Sequence, residues 1–167
     1  MHDTLVRLFR FKAWADDELF TALAGLGDES PVVHLAVKAL NHSYVVDRIF
    51  DAHMNGKPHP YASTNPDEVP TLEDLSTRMR ASDKAYVDHV STLDRDMLSE
   101  QVDFTFTDGT PGRMSREEML MHVITHGIGH RGQVSALMLL NEAAPATDGF
   151  TTYLHRAEAV RRRRSRA

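Results

Sequence analysis

The sequence predicts an all-α fold, an antiparallel four-helix bundle, and three observations carry that expectation. Four long stretches of the 167-residue chain place apolar residues at steps of three and four, the period of a helix with one buried face. Capping and breaking signals punctuate those stretches: Ser30-Pro31, Thr71 to Asp74, Ser115 to Glu118, and a run of prolines at 58, 60, 66 and 70. Alternating patterning appears in one short place only, Val102, Phe104 and Phe106, followed by Asp108-Gly109.

The first helix spans 4–26. Its stripe is Leu8, Phe11, Ala15, Leu19, Ala22 and Leu26, flanked by Leu5, Phe9 and Phe20, with Trp14 a partly buried aromatic. Asp16, Asp17 and Glu18 fall on the outer face of this reading. The second helix opens at Ser30 as cap and Pro31 at the first helical position. Its stripe of Leu35, Ala39, His42, Val46, Ile49 and His53 puts a histidine at mid-length in an apolar seam, with His34 off the stripe and exposed. From 55 to 70 the pattern stops in a long ordered loop that contains His59, expected to be exposed.

The third helix follows the box at Thr71 and carries Leu72, Leu75, Met79, Ser82, Tyr86, Val90 and Leu93 on its seam, broken by residues 94–99. Residues 101–114 read as a short hairpin or extended crossover whose return arm Pro111 and Gly112 keep short. Ser115-Arg-Glu-Glu118 is a capping box opening the fourth helix, with Met119, Val123, His126, His130, Gln133, Leu137 and Leu140 as its seam. Asn141 and Pro145 end it. Thr147 or Asp148 then caps a short last helix that buries Phe150, Tyr153, Leu154, Ala157 and Val160. Residues 1–160 read as one domain and 161–167 as a solvated basic tail.

Composition narrows the function. The chain has no cysteine, which removes thiolate metal sites, iron–sulfur clusters and a cysteine nucleophile, and fits a reducing cytoplasm. A net charge of -5 disfavours nucleic acid as a partner. No stretch reaches the length of a membrane span, and charges interrupt every apolar run near the N-terminus, so neither a membrane location nor a signal peptide is expected.

The chemistry concentrates in the fourth helix. His122, His126 and His130 stand four residues apart and therefore stack on one helical face, where two imidazoles can grip one divalent ion. The stretch is not the metalloprotease H-E-x-x-H, because Gly127 stands where that motif has its glutamate. Seam position selects His126 and His130 over His122, and His42 is the histidine on a facing helix. The three together would form a three-nitrogen face with one side open to water or substrate, the catalytic rather than the structural pattern. The alternative is three core histidines satisfied by hydrogen bonds, a costly arrangement without a metal. Gly127, Gly129 and Gly132 are poor helix formers, tolerated best where a helix or ligand comes close.

Four segments then carry a resemblance to the DinB / YfiT-like family of metalloenzymes, distinct from the similarly named DNA polymerase. Phe11-Lys-Ala-Trp-Ala-Asp16 resembles a first-helix Y-N-x-W-A-N element, and Leu40-Asn-His42 a second-helix L-x-H-I element. Thr125-His126-Gly-Ile-Gly-His130-Arg-Gly-Gln133 resembles N-H-x-x-H-H-R-G-Q, and Asp148 with Tyr153-Leu154 a closing D…Y-L. The resemblance implies divalent metal binding by His42, His126 and His130, a homodimer, and metal-dependent transferase or isomerase chemistry with a low-molecular-weight thiol. Gly129 replaces the first histidine of the family doublet and Thr125 the usual asparagine.

The leading expectation is therefore a metal-dependent enzyme of thiol-dependent S-transferase or isomerase type acting on a small molecule. Hydrolysis through a metal-bound water, or a non-catalytic metal-binding stress-response role, stands as the alternative. Imidazole ligands suit zinc, nickel, copper or iron, with zinc or nickel the first choice. Arg131 and Asp47 are candidates to orient ligands or substrate, with an interhelical salt bridge the competing role for each. Gln133 is a candidate partner of a ligand imidazole, and His122 a candidate to support a ligand or meet the substrate.

Overall fold

The computed structural model describes residues 2–27 and 29–157. Four long helices form the bundle: α1 (His2–Ala24), α2 (Pro31–Met54), α3 (Leu72–Thr92) and α5 (Arg116–Leu140). Between the last two lie a short helix α4 (Arg95–Ser99) and a hairpin of β1 (Gln101–Thr105) and β2 (Pro111–Ser115); α6 (Phe150–Arg156) follows α5. In the bundle α1 packs chiefly on α3, and α2 on α5.

Local chemistry explains most boundaries. The Thr71 hydroxyl accepts from the Asp74 amide at the start of α3. Ser115 and Glu118 form a reciprocal capping box at the start of α5. Pro31 opens α2, but the Ser30 side chain makes no capping bond. Residues 94–99 do not simply break α3: Asp94 accepts from the Met97 amide and starts α4.

The two strands pair antiparallel, Phe104 opposite Gly112. Gly109, at φ 88°, closes the turn in the left-handed region. The return arm is as long as the outgoing one, since Pro111 takes the first position of β2, where a missing amide costs least. A Cβ at Gly112 would meet the Phe104 ring at 2.5 Å and the Phe106 ring at 2.9 Å, so the glycine lets both rings lie across β2. The last helix is capped by Gly149 without a side-chain bond, and neither Thr147 nor Asp148 caps it. Its Tyr153 is buried against Phe11 and Trp14, whereas Ala157 is exposed and Val160 lies outside the described residues, as does the basic tail.

The core is split at mid-height. One apolar cluster includes Leu5, Phe9, Phe50, Tyr86, Met119 and Val123. The other includes Leu19, Leu23, Val33, Leu75, Val134 and Met138. Between them, at the middle of each helix, lies a buried polar layer of Lys12, Asp16, Asp47, Asp83 and Arg131. The expected outer position of Asp16 is therefore corrected. On α1 the buried residues are Leu5, Phe9, Lys12, Asp16, Leu19 and Leu23, spaced four and three, so the ion pair occupies the seam itself.

The α3 seam is buried throughout as expected. On α2 and α5 the seams are rotated from the expected ones. Leu35 is 47% exposed and Leu140 81% exposed, while Val33, Val37, Leu120, Val134 and Met138 do the packing. His42, His126 and His130 consequently stand half-buried at the edge of the core, where α2 and α5 face a cleft.

A three-histidine cluster at the mouth of an apolar cleft

His126 and His130 project from successive turns of α5, and His42 meets them from α2. Ring centroids are 4.4 Å apart for His126 and His130, 5.2 Å for His42 and His126, and 4.9 Å for His42 and His130. One ring nitrogen from each lies within 4.8 Å of the others. The Nε2 atoms of His126 and His130 face each other at 3.1 Å.

The long proline-rich loop fixes the third ring. The Thr64 carbonyl lies 3.0 Å from His42 Nδ1. A carbonyl can only accept, so Nδ1 carries the hydrogen, which leaves Nε2 as the nitrogen able to ligate. A backbone carbonyl on the far nitrogen is the usual way a metal-ligating imidazole is oriented. Thr64 carries no motif, and only the length of its loop hinted at such a task.

The protonation states also suit ligation. Burial, reinforced by His130, His122 and His42, lowers the His126 pKa to about 4. Burial and His42 lower that of His130, while an interaction with the Gln133 side chain works the other way. Neutral imidazoles are the ligating form. The donor set fits a divalent transition ion: two nitrogens of a tetrahedral zinc site are about 3.3 Å apart, close to the 3.1 Å between the two Nε2 atoms. Among the described residues both Nδ1 atoms are buried without a hydrogen-bond partner, so the α5 pair lacks the carbonyl anchor that His42 has.

His122 is the third histidine of the run but not of the cluster. Its ring lies 5.2 Å from that of His126 and 4.6 Å from that of Phe50, on the wall of a cleft of about 360 Å³. His42 and His126 line the same cleft. Gln133 is exposed beside His130.

Arg131 and Asp47 are elsewhere, both in the buried polar layer and neither on the cleft. The Arg131 guanidinium donates to Asp16 at 3.0 Å and to Asp148 at 2.8 Å. Asp47 pairs with Lys12 at 2.9 Å. Lys12 also contacts Asp83 at 2.6 Å and Asp16 at 3.0 Å. Burial opposes the Lys12 ammonium, yet the surrounding carboxylates outweigh it and raise its pKa. Burial raises Asp47 to about 6 and Asp83 to about 7.

The layer backs directly onto the cluster. A Cβ at Gly127, next to His126, would meet the Lys12 stem at 3.3 Å. Neither Lys12 nor Asp83 stands in a ligand or catalytic motif of the sequence. The signal available was an opposite-charge pair, Lys12 and Asp16, four apart on an apolar stripe.

Known proteins place the chain. Protein DinB of Bacillus subtilis is 23% identical over 171 aligned positions, covering 92% of this chain and 95% of that protein. A crystal structure of a DinB-like protein from Bacillus cereus superposes with a TM-score of 0.66 at 19% identity, over 87% of this chain and 95% of that one. It shares the fold. The sequence profile of the DinB family matches residues 1–162, and the chain belongs to the DinB family.

Proposed function

We propose that this protein binds one divalent transition metal through His42, His126 and His130 and is a metal-dependent enzyme of thiol-dependent S-transferase or isomerase type. The observation that carries the reading is the convergence of three half-buried imidazoles beside a cleft, one of them held at Nδ1 by the Thr64 carbonyl. Zinc or nickel suits such a nitrogen set. The bound ion would supply Lewis acidity, enough to hold a thiol as thiolate or to polarise a carbonyl. The chain's own residues do the rest. Thr64 orients His42, and Val46, Ile49 and Phe50 keep water from the cleft wall. The sequence has no cysteine, so the thiol would come as a cosubstrate.

Elemental analysis of the purified protein should find about one transition metal per chain, and His126→Ala should lose it. Equal metal content in both would overturn the site. A thermal-shift screen with and without small thiols addresses the reaction type, because only the thiol-dependent reading requires a thiol to bind.

Hydrolysis is the second reading, favoured by His122, which places an imidazole outside the proposed ligand set on the cleft wall beside His126. It requires ester or amide turnover with no thiol present. A homodimer also belongs to the proposal. Its support is the outer face of α5, where Met121, Ile128, Leu139 and Leu140 are exposed. Light scattering of the purified protein tests it. A cytoplasmic location goes with the lack of cysteine, and among the described residues no helix is long and apolar enough to cross a membrane.

A further inference from the structure

The cleft beside the histidines has its own chemistry. Its volume of about 360 Å³ lies within the range of small-molecule sites. Among the described residues no lysine, arginine, aspartate or glutamate lines it. Its walls are rings: Phe50 and Phe104 lie 6.1 Å apart, Phe104 and Phe106 4.8 Å, and His53 and Phe104 4.9 Å. His122 closes the set against Phe50 at 4.6 Å. The remaining lining is mainly aliphatic, from Val46, Ile49 and Met114.

The cleft is also long. His42 marks one end and His53 another position eleven residues along α2, about 16 Å at 1.5 Å per residue. Burial lowers the His53 pKa, with His59 reinforcing the effect, which disfavours a charge on the far ring. The hairpin forms the remaining wall. Phe104 and Phe106 lie over Gly112, and Phe106 is 45% exposed, an apolar ring held at the surface over the cleft.

The geometry points to a neutral aromatic small molecule as the occupant of this cleft, its ring stacked among Phe50, Phe104, Phe106 and His53, and its reactive end at His42 and His126. The proposal rests on the metal reading only for the reactive end. An anionic substrate would find no counter-charge among the described wall residues and would lose its hydration there. An aromatic ring gains both area burial and edge-to-face contacts from these walls.

The test uses the full chain and N-phenyl-1-naphthylamine, a neutral fluorophore that brightens in apolar sites. Binding is titrated in protein stripped of metal by chelation and in the same protein reloaded with zinc, and 1-naphthol and 1-naphthoate are compared as competitors in the stripped form. The probe should bind both forms, with 1-naphthol displacing it at least about tenfold more effectively than 1-naphthoate. Phe106→Ala removes a half-exposed ring and should weaken the probe several-fold at unchanged circular dichroism; Met114→Glu should weaken it further. Equal displacement by naphthol and naphthoate, or unaltered binding in both variants, overturns the proposal. No brightening in either form overturns it as well. If elemental analysis finds no metal while the probe still binds in this ring-dependent way, the metal reading fails and the aromatic site stands.

Discussion

Gly127, Gly129 and Gly132 occupy one stretch of α5, and the same residue type has different reasons at the three positions. At Gly127 a methyl group would press on Lys12 at 3.3 Å, and Lys12 cannot yield because three carboxylates hold its ammonium. At Gly129 and Gly132 a methyl group meets nothing within 4 Å. Alanine forms helix better than glycine by about 1 kcal/mol. Gly129→Ala and Gly132→Ala should therefore stabilise the protein by up to that amount in urea denaturation. Gly127→Ala should destabilise it by about 1–3 kcal/mol through overpacking. If all three shifted stability in the same direction, the close approach of Lys12 would not be the reason for Gly127. In the sequence the three glycines are indistinguishable, since helix propensity is blind to what stands opposite.

At the scale of the elements, the polar layer joins α1, α2, α3 and α5 through one ammonium and one guanidinium. A buried pair of this kind adds little net stability when complete but is costly to break, because the surviving charges stay buried. Lys12→Met would leave Asp16, Asp47 and Asp83 without their shared cation and should cost about 3–5 kcal/mol at pH 8. The pH dependence has a definite sign. Burial already raises Asp47 to about 6 and Asp83 to about 7, against an ordinary 3.8. A carboxyl with a raised folded pKa contributes stability that is present below its unfolded pKa and lost as pH rises through the folded value. Removing Lys12 raises those pKa values further, so the variant takes up protons on folding across a wider window. Its deficit relative to the parent protein should thus be smaller at pH 5 than at pH 8. The histidines with lowered pKa values act in the opposite direction in both proteins; His126 alone loses a minor depressing influence with Lys12, which changes the deficit in the same sense as the carboxylates. A deficit independent of pH would mean that the carboxylates stay charged, and that the cluster does not behave as described.

Over the whole molecule, what could be read in advance followed from period and punctuation. The four long helices, the hairpin and the two good caps, at Thr71 and Ser115, were legible because each depends on residues a few positions apart. The rotation of the α2 and α5 seams was not. A helix has two candidate faces when polar and apolar residues mix, and the choice between Leu35 and Val33, or Leu140 and Met138, is made by the neighbouring helices. The convergence of His42, His126 and His130 was legible as a pattern of residue types, although the rings turned out to stand at the edge of the core. The cleft itself was not foreseen, because Phe50, Phe104, Phe106 and Met114 come from a helix and a hairpin far apart in sequence.

The position of the histidines ties the proposed metal site to the whole fold. Two of them lie on α5, and the third reaches the cluster only when α2 is packed against α5 and the loop carbonyl of Thr64 holds its ring. The unfolded chain keeps the i, i+4 pair in sequence but not the third ligand, so an ion held by all three favours the folded state. At a free metal concentration of one hundred times Kd the gain is about 2.7 kcal/mol. For a chain of this length that corresponds to roughly 5–10 °C in melting temperature. A chelator should lower the Tm of the metal-loaded protein by about that much, and zinc or nickel added in excess should restore it. In His42→Ala the effect should shrink, since only the α5 pair remains and that pair can be formed without the bundle. A chelator response as large in His42→Ala as in the parent protein would mean that α2 contributes nothing to the site, and the bundle would then be holding a two-histidine surface clip rather than a three-ligand centre.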